Sequence, residues 1–204
     1  MSNQFKFTVL GSGSALPKKD RFQAAHLLEV HNKLFLIDCG EGMQIQAFRL
    51  KYSLNRLGHI FISHLHADHC LGLIGLISSL GMTGHYTNIE IHSAPELEKL
   101  LKPQLDFFCQ ELGFEVIFHP FNPRKKEIIF EDRTLIVKTL PLKHRVPTCG
   151  FIFKEKPKER HLIPEMIDAF NIPIKERALI KKGKDFITEE GEIIENKRLT
   201  KEPS

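Results

Sequence analysis

Six consecutive residues, His64-Leu65-His66-Ala67-Asp68-His69, put three imidazoles and a carboxylate within a single turn of chain. Imidazoles crowded this closely repel one another on protonation, whereas a divalent cation takes their nitrogens and a carboxylate oxygen as ligands. The spacing therefore points to metal-ion chemistry. His64 and His66, two apart in extended chain, point the same way. Asp68 and His69 lie past a bend and can point elsewhere, so the segment can serve two ions rather than one. The plain alternative is a polar loop that happens to be rich in histidine. A catalytic ion needs protein ligands and an open position for water. The best candidate for a third imidazole is His144, in the rigid, cationic stretch Pro141-Leu142-Lys143-His144-Arg145-Val146-Pro147. Alone, a loop histidine is usually only a solvated side chain; beside the cluster it becomes a ligand candidate.

These side chains need elements to hold them. Ile60-Phe61-Ile62-Ser63 reads as a buried strand running into the cluster, and Leu71-Gly72-Leu73-Ile74-Gly75-Leu76-Ile77 as a helix start leaving it. Upstream, 5–10 alternates like a strand and breaks at Gly11-Ser12-Gly13-Ser14. Residues 26–30 and 34–37 read as a hairpin turning at His31-Asn32-Lys33. Asp38-Cys39-Gly40-Glu41-Gly42 closes that strand, and 43–51 has helical spacing. Downstream, 89–92 is a short strand, and 95–112 is helical, with Pro95 suited to the first turn and Gly113 to the stop. Further strands are expected at 114–118, 127–131, 134–140 and 150–153. Strands in runs with helices interposed predict an α/β (α+β) layer architecture.

Length and composition set the frame. The chain has 204 residues, 42% hydrophobic and 26% charged, which is ordinary for a soluble globular protein. No stretch approaches the roughly 18 apolar residues of a membrane span, and Met1-Ser2-Asn3-Gln4 lacks the basic and apolar regions of a signal peptide. Cys39, Cys70, Cys109 and Cys149 are scattered without paired spacing, so reduced thiols and a cytoplasmic location are expected. Cys70 reads as a small buried residue rather than a ligand. The net charge of +4 tolerates a polyanionic partner without demonstrating one. The character changes near Lys154. Residues 154–204 carry 12 Lys/Arg and 11 Asp/Glu, and their apolar residues fall in short groups, as in an appendage rather than a core-building segment. Within it, 163–170 has the pattern of an amphipathic helix.

Four segments carry a resemblance, in order along the chain. Gly11-Ser12-Gly13-Ser14-Ala15-Leu16-Pro17-Lys18-Lys19-Asp20-Arg21, Asp38-Cys39-Gly40-Glu41-Gly42, the histidine segment from His64, and His144 through Pro147-Thr148-Cys149-Gly150-Phe151 resemble the motifs of ribonuclease Z. That family comprises metallo-β-lactamase-fold endonucleases that trim the 3′ end of precursor tRNA. The histidine segment alone indicates the superfamily; the basic loop and the His144 context narrow it. The resemblance implies an αββα sandwich, of which 1–153 would be the N-terminal part and 154–204 a protruding arm that grips tRNA away from the active site. It implies Zn²⁺, two ions per complete site: His64, His66 and His144 on one, Asp68 and His69 on the second, with Asp68 also the proton acceptor. A metal-activated hydroxide would attack the phosphorus, leaving a 3′-hydroxyl on the tRNA and a 5′-phosphate on the trailer. Lys18, Lys19 and Arg21 would contact the RNA backbone, which suits flexible cations beside a metal; a solvated turn is the alternative. Lys181, Lys182 and Lys184 of the arm could supply further phosphate contacts, and a homodimer would let each arm serve the opposite subunit's substrate.

The resemblance also implies residues this chain does not contain. A bridging aspartate and a last histidine would lie in strands beyond Ser204, so the chain would hold five of seven ligands and about half of the sandwich. The expected function is zinc-dependent cleavage of precursor tRNA, in a chain that is truncated or partial. Two rivals stand beside it: another hydrolase of this fold acting on small substrates, and a non-catalytic RNA-binding or assembly fragment.

Overall fold

Period-two alternation decides which face each strand shows to which layer. In a computed structural model, residues 5–16 and 18–202 are described, so Pro17 of the basic loop lies outside them, as do 1–4 and 203–204. Six strands form the first sheet in sequence order: β1 (Lys6–Gly11), β2 (Ala25–Val30), β3 (Lys33–Cys39), β4 (Leu57–Phe61), β5 (Ile89–Ser93) and β6 (Val116–Pro120). The first three run antiparallel and the last four, β3 to β6, parallel. The β2–β3 turn is short because His31 and Asn32 both take positive φ, 47° and 67°, the backbone that a two-residue hairpin demands.

Parallel neighbours need crossovers, and helices supply them: α1 (Met43–Arg49), α2 (Ala67–Cys70) with α3 (Gly72–Met82), and α4 (Glu96–Phe108). All pack on one face. Leu34 and Leu36 of β3, Ile60 of β4 and Ile91 of β5 bury there against Met43, Leu73, Leu76 and the α4 stripe Leu97, Leu101 and Leu105. The residues between them face the other way. Phe35 and Phe61 meet Leu135 and Val137 of a second, three-stranded sheet, β7 (Ile128–Glu131), β8 (Leu135–Leu142) and β9 (Thr148–Glu155). Phe130 and Phe153 close on the Phe35 ring at 5.9 and 5.8 Å. Each such aromatic contributes roughly 1.5–3 kcal/mol on full burial. The result is helix on sheet on sheet, with two apolar interfaces. Helix α4 ends at Phe108, short of Leu112, because Cys109 leaves helical geometry (φ −128°, ψ 52°) and the Leu97-Leu101-Leu105 stripe has no successor inside the helix.

Asp132 joins the two sheets. Its carboxylate accepts hydrogen bonds from the Thr134 and Leu135 amides and the Thr134 hydroxyl in the β7–β8 turn, and it pairs with Lys33 at the start of β3. Burial works against the charged form, but Lys33 and these donors outweigh it and hold the carboxyl well below the usual carboxylate range. A depressed folded-state value stabilises above the unfolded value and is lost as pH falls through the folded one. Asp132→Ala is expected to cost about 1–3 kcal/mol at pH 7. The melting-temperature gap to the parent chain should narrow on acidification toward pH 2, as thermal denaturation at both pH values would show.

The chain falls into two compact units, Met1–Lys154 and Glu155–Ser204. The second builds a core of its own, which the sequence reading did not expect: Ile172, Ile180, Phe186, Ile194 and Leu199 are buried together. Three short helices, α5 (Pro164–Ala169), α6 (Ile174–Lys181) and α7 (Asn196–Leu199), and two small two-stranded pairings, 161–162 with 200–201 and 186–187 with 193–194, surround it. Asn196 is the polar hub, its Nδ2 donating to the Ile180 and Lys184 carbonyls while Thr200 Oγ1 donates back to it. No helix among the described residues is long and apolar enough to cross a membrane.

Candidate metal centre

The end of β4 sets the first ligands. Ile62 N–H donates to the His92 carbonyl at 2.9 Å, which carries the extended backbone past the strand. His66 is still extended (φ −75°, ψ 146°), and α2 begins at the next residue. The helix therefore starts earlier than the apolar run at Leu71 suggests, with the His69 amide donating to the His66 carbonyl at 3.0 Å. His64 and His66 keep their alternation in extended chain, and Asp68 and His69 turn away in the first helical turn. His64 Nε2 and His66 Nδ1 lie 3.1 Å apart.

His144 arrives from the β8–β9 connection. Its placement is fixed by backbone, since the Cys149 amide donates to the Ser63 carbonyl at 3.1 Å and so clamps the start of β9 to the histidine loop. His144 Nε2 stands 3.3 Å from His66 Nδ1. The three donor nitrogens fall within 4.8 Å of one another. Two donors bound at ~2.0–2.1 Å to a tetrahedral first-row ion stand about 3.3–3.4 Å apart. The three imidazoles thus fit such an ion, and they grade from buried His64 to exposed His144.

Asp38 orders the second pair of residues. It is buried, at positive φ (56°), which Asp tolerates better than most residues. One carboxylate oxygen accepts from the Ser63 amide at 2.8 Å; the other takes the Ser63 hydroxyl at 2.9 Å and His69 Nδ1 at 2.8 Å. That leaves His69 Nε2 free to face Asp68, 3.6 Å from its Oδ2. A carboxylate that fixes one imidazole nitrogen leaves the other aimed and basic, the usual support of a metal-ligating histidine. The backbone around it is packed too tightly for side chains. A Cβ on Gly72 would sit 2.5 Å from the Gly40 carbonyl, and one on Gly40 would sit 2.6 Å from the Asp68 carbonyl.

The electrostatics set His64 and His69 apart. Burial pushes His64 down to about 4, His69, His66 and His144 adding repulsion and Asp38 opposing, so its ring is neutral and able to ligate. His69 moves up: burial lowers it, but its hydrogen bond and charge pairing with Asp38, with Asp68 assisting, prevail. The thiols near the centre are held in the protonated form. Burial raises Cys70 to about 11 and Cys149 to about 12, and all four cysteines are free.

The basic residues occupy other places. Lys18, Lys19 and Arg21 are exposed on a small loop in which Lys18 and Arg21 pair. Sequence reasoning missed Gln23, which ties that loop to the centre: it donates to the Ala15 carbonyl and accepts from the Glu41 amide, two residues past Cys39. A lone glutamine before an apolar run gives no signal of this. Lys181, Lys182 and Lys184 lie at the end of α6 and the turn after it, within the second unit. A cleft of about 830 Å³ borders the histidine loop, its lining including Leu65, Val146 and Pro147 as well as Arg124 and Lys125. It, too, was invisible from sequence.

Known proteins resemble this arrangement. Residues 5–159 match the family model described as Anti-Pycsar protein Apyc1. Ribonuclease Z of Bacteroides fragilis is 48% identical over 198 residues, which is 97% of this chain and 65% of that relative; the chain thus spans just under two thirds of the length of the curated relative it matches. The crystal structure of human tRNase Z, short form, superposes with a TM-score of 0.68 at 29% identity, covering 74% of this chain and 66% of that one. The metallo-β-lactamase fold protein YhfI from Bacillus subtilis shares the fold, with a TM-score of 0.54 at 20% identity over 74% of this chain and 56% of that one. With more than half of its own residues matched by that family model, the chain belongs to the family described as Anti-Pycsar protein Apyc1, on a metallo-β-lactamase fold and with ribonuclease Z among its curated kin.

Proposed function

We propose that this chain is the metal-binding part of a zinc-dependent endonuclease that removes the 3′ trailer of precursor tRNA. The observation that carries the reading is the convergence of His64 Nε2, His66 Nδ1 and His144 Nε2, in a chain whose curated relative is named ribonuclease Z. His64, His66 and His144 would hold one zinc, and Asp68 with His69 would contribute to a second. Bound zinc supplies Lewis acidity at the phosphate and a water acidified toward neutrality.

The chain's own residues do the rest. Asp68, buried and 3.6 Å from His69 Nε2, accepts the proton released as the phosphodiester is attacked. Asp38 keeps His69 in the orientation that leaves Nε2 toward the reaction. Lys18, Lys19 and Arg21 neutralise backbone phosphates, and Arg124 and Lys125 offer a second basic wall along the cleft beside Leu65. Lys181, Lys182 and Lys184 grip the tRNA from the second unit. The protein works as a homodimer in the cytoplasm, where free thiols persist.

Incubation of the chain with zinc and a precursor tRNA tests this. The expected product is a cut after the discriminator nucleotide, with a 3′-hydroxyl on the tRNA and a 5′-phosphate on the trailer. Salt-sensitive tRNA binding without a cut, while a full-length relative cleaves the same substrate, would overturn the activity and leave an RNA-binding role.

A further inference from the structure

Three parallel strands away from the histidine loop bring together another set of donors. His59 of β4, Glu90 and His92 of β5 and His119 of β6 share one face, because His59 pairs in register with Glu90, and His92 with His119. That face looks toward the second sheet. Glu90 and His92, two apart in β5, point together. His59 Nδ1 lies 3.4 Å from His92 Nε2 and 3.6 Å from Glu90 Oε2, and His119 Nε2 lies 3.0 Å from the same oxygen. These spacings match those between the donors of the histidine loop, and those about 3.3–3.4 Å apart around a tetrahedral first-row ion.

Hydrogen bonding within the cluster leaves it unfinished. A single proton between His59 Nδ1 and His92 Nε2 satisfies that pair. His119 Nε2, however, is shut from solvent and makes no hydrogen bond despite its closeness to Glu90. A buried polar atom is rarely left so, and a bound ion is one of the few standard reasons. The surroundings suit a cation held by neutral rings and one carboxylate. His92 is stacked between Phe61 at 4.4 Å and His119 at 4.8 Å, and Phe130 stands edge-on to His59 at 4.6 Å. Burial pushes His92 down to about 3, His59 and His119 adding to the effect and the Ile129 backbone opposing. It lowers His59 as well. Rings kept neutral are in the state that binds metal. Glu90 and His119 remain partly exposed, with side-chain accessibilities of 34% and 42%, and β6 is the sheet edge, so an ion has a way in.

We propose that His59, Glu90 and His92, whose donor atoms lie within 4.8 Å of one another, form the core of a second metal site for a zinc-class divalent cation, with His119, 3.0 Å from Glu90 Oε2, closing on it from β6; the site shares no residue with the histidine loop and staples β4, β5 and β6 together. It is independent of the function proposed above, and its test does not involve RNA. The full chain carrying His64→Ala and His66→Ala, which disable the loop centre, is stripped with chelator, loaded with zinc sulfate, desalted and counted by plasma mass spectrometry. One zinc per chain is expected to remain, and to be lost when Glu90→Gln or His119→Asn is added. Cobalt in place of zinc should give the intense visible bands of a tetrahedral ion, lost with the same substitutions. Both added changes fall at partly exposed side chains, and circular dichroism checks that each variant is folded; if one is not, the other carries the comparison. No zinc retained in the loop-disabled chain, or retained zinc indifferent to both substitutions, would falsify the site.

Discussion

His66→Ala is expected to lower zinc affinity at the histidine loop by more than about 100-fold, beyond the roughly 10–100-fold typical of losing an outer partner. The reason is position. His66 Nδ1 is the donor common to both short separations, 3.1 Å to His64 Nε2 and 3.3 Å to His144 Nε2. Without it, two nitrogens remain from chain segments 80 residues apart in sequence (144 − 64). The fold should survive, because His66 caps α2 through its backbone carbonyl, which accepts from the His69 amide and Cys70 Sγ, and alanine keeps that group. Titration of zinc against a competing chelator measures the effect. His161→Ala, an exposed histidine of the second unit, serves as the control. An affinity for the His66 variant within about threefold of the parent would remove this residue from the site.

How far such a site can be read from sequence depends on whether its parts are local. His64, His66, Asp68 and His69 lie within six residues, so two-residue alternation and one bend were enough to anticipate their directions. His144 was reachable because a rigid, proline-bounded loop after a strand is a plausible place for a ligand. The layer architecture was legible for a similar reason: 26–30 and 34–37 read as a hairpin turning at 31–33, and β2 and β3 pair antiparallel about that turn. Long-range pairings left no local mark. His59, His92 and His119 are separated by 33 and 27 residues, from 92 − 59 and 119 − 92, and only the register of β4, β5 and β6 makes them neighbours. Gln23 looks like an ordinary polar residue until the Ala15 carbonyl and the Glu41 amide close on it. The small core of the second unit was missed because Ile172, Ile180, Phe186, Ile194 and Leu199 are spread among charges with no repeating period.

Asp38 separates stability from ligand geometry, and two substitutions should divide its roles. Asp38→Ala removes the acceptor for the Ser63 amide, the Ser63 hydroxyl and His69 Nδ1 at once. A buried amide left without a partner costs about 1–3 kcal/mol, and alanine at the positive φ that aspartate occupies here adds roughly 1–2 kcal/mol. The expected loss of about 2–5 kcal/mol is a large share of the stability of a domain of this size, and denaturant unfolding should register it. Asp38→Asn is a different experiment. Asparagine tolerates the same backbone and its carbonyl oxygen can still accept from the Ser63 amide, so most of the fold stability should return. Its amide group, though, donates where a carboxylate oxygen accepted from both the Ser63 hydroxyl and His69 Nδ1. His69 must then turn or change tautomer, and Nε2 no longer faces Asp68 as a free donor atom for an ion. Metal affinity at Asp68 and His69 should fall by about 10–100-fold while the melting temperature stays near that of the parent. Equal losses of stability and metal affinity in the two variants would mean that Asp38 only holds the loop together. A stable Asp38→Asn chain with weakened metal binding would show that the charge itself aims His69.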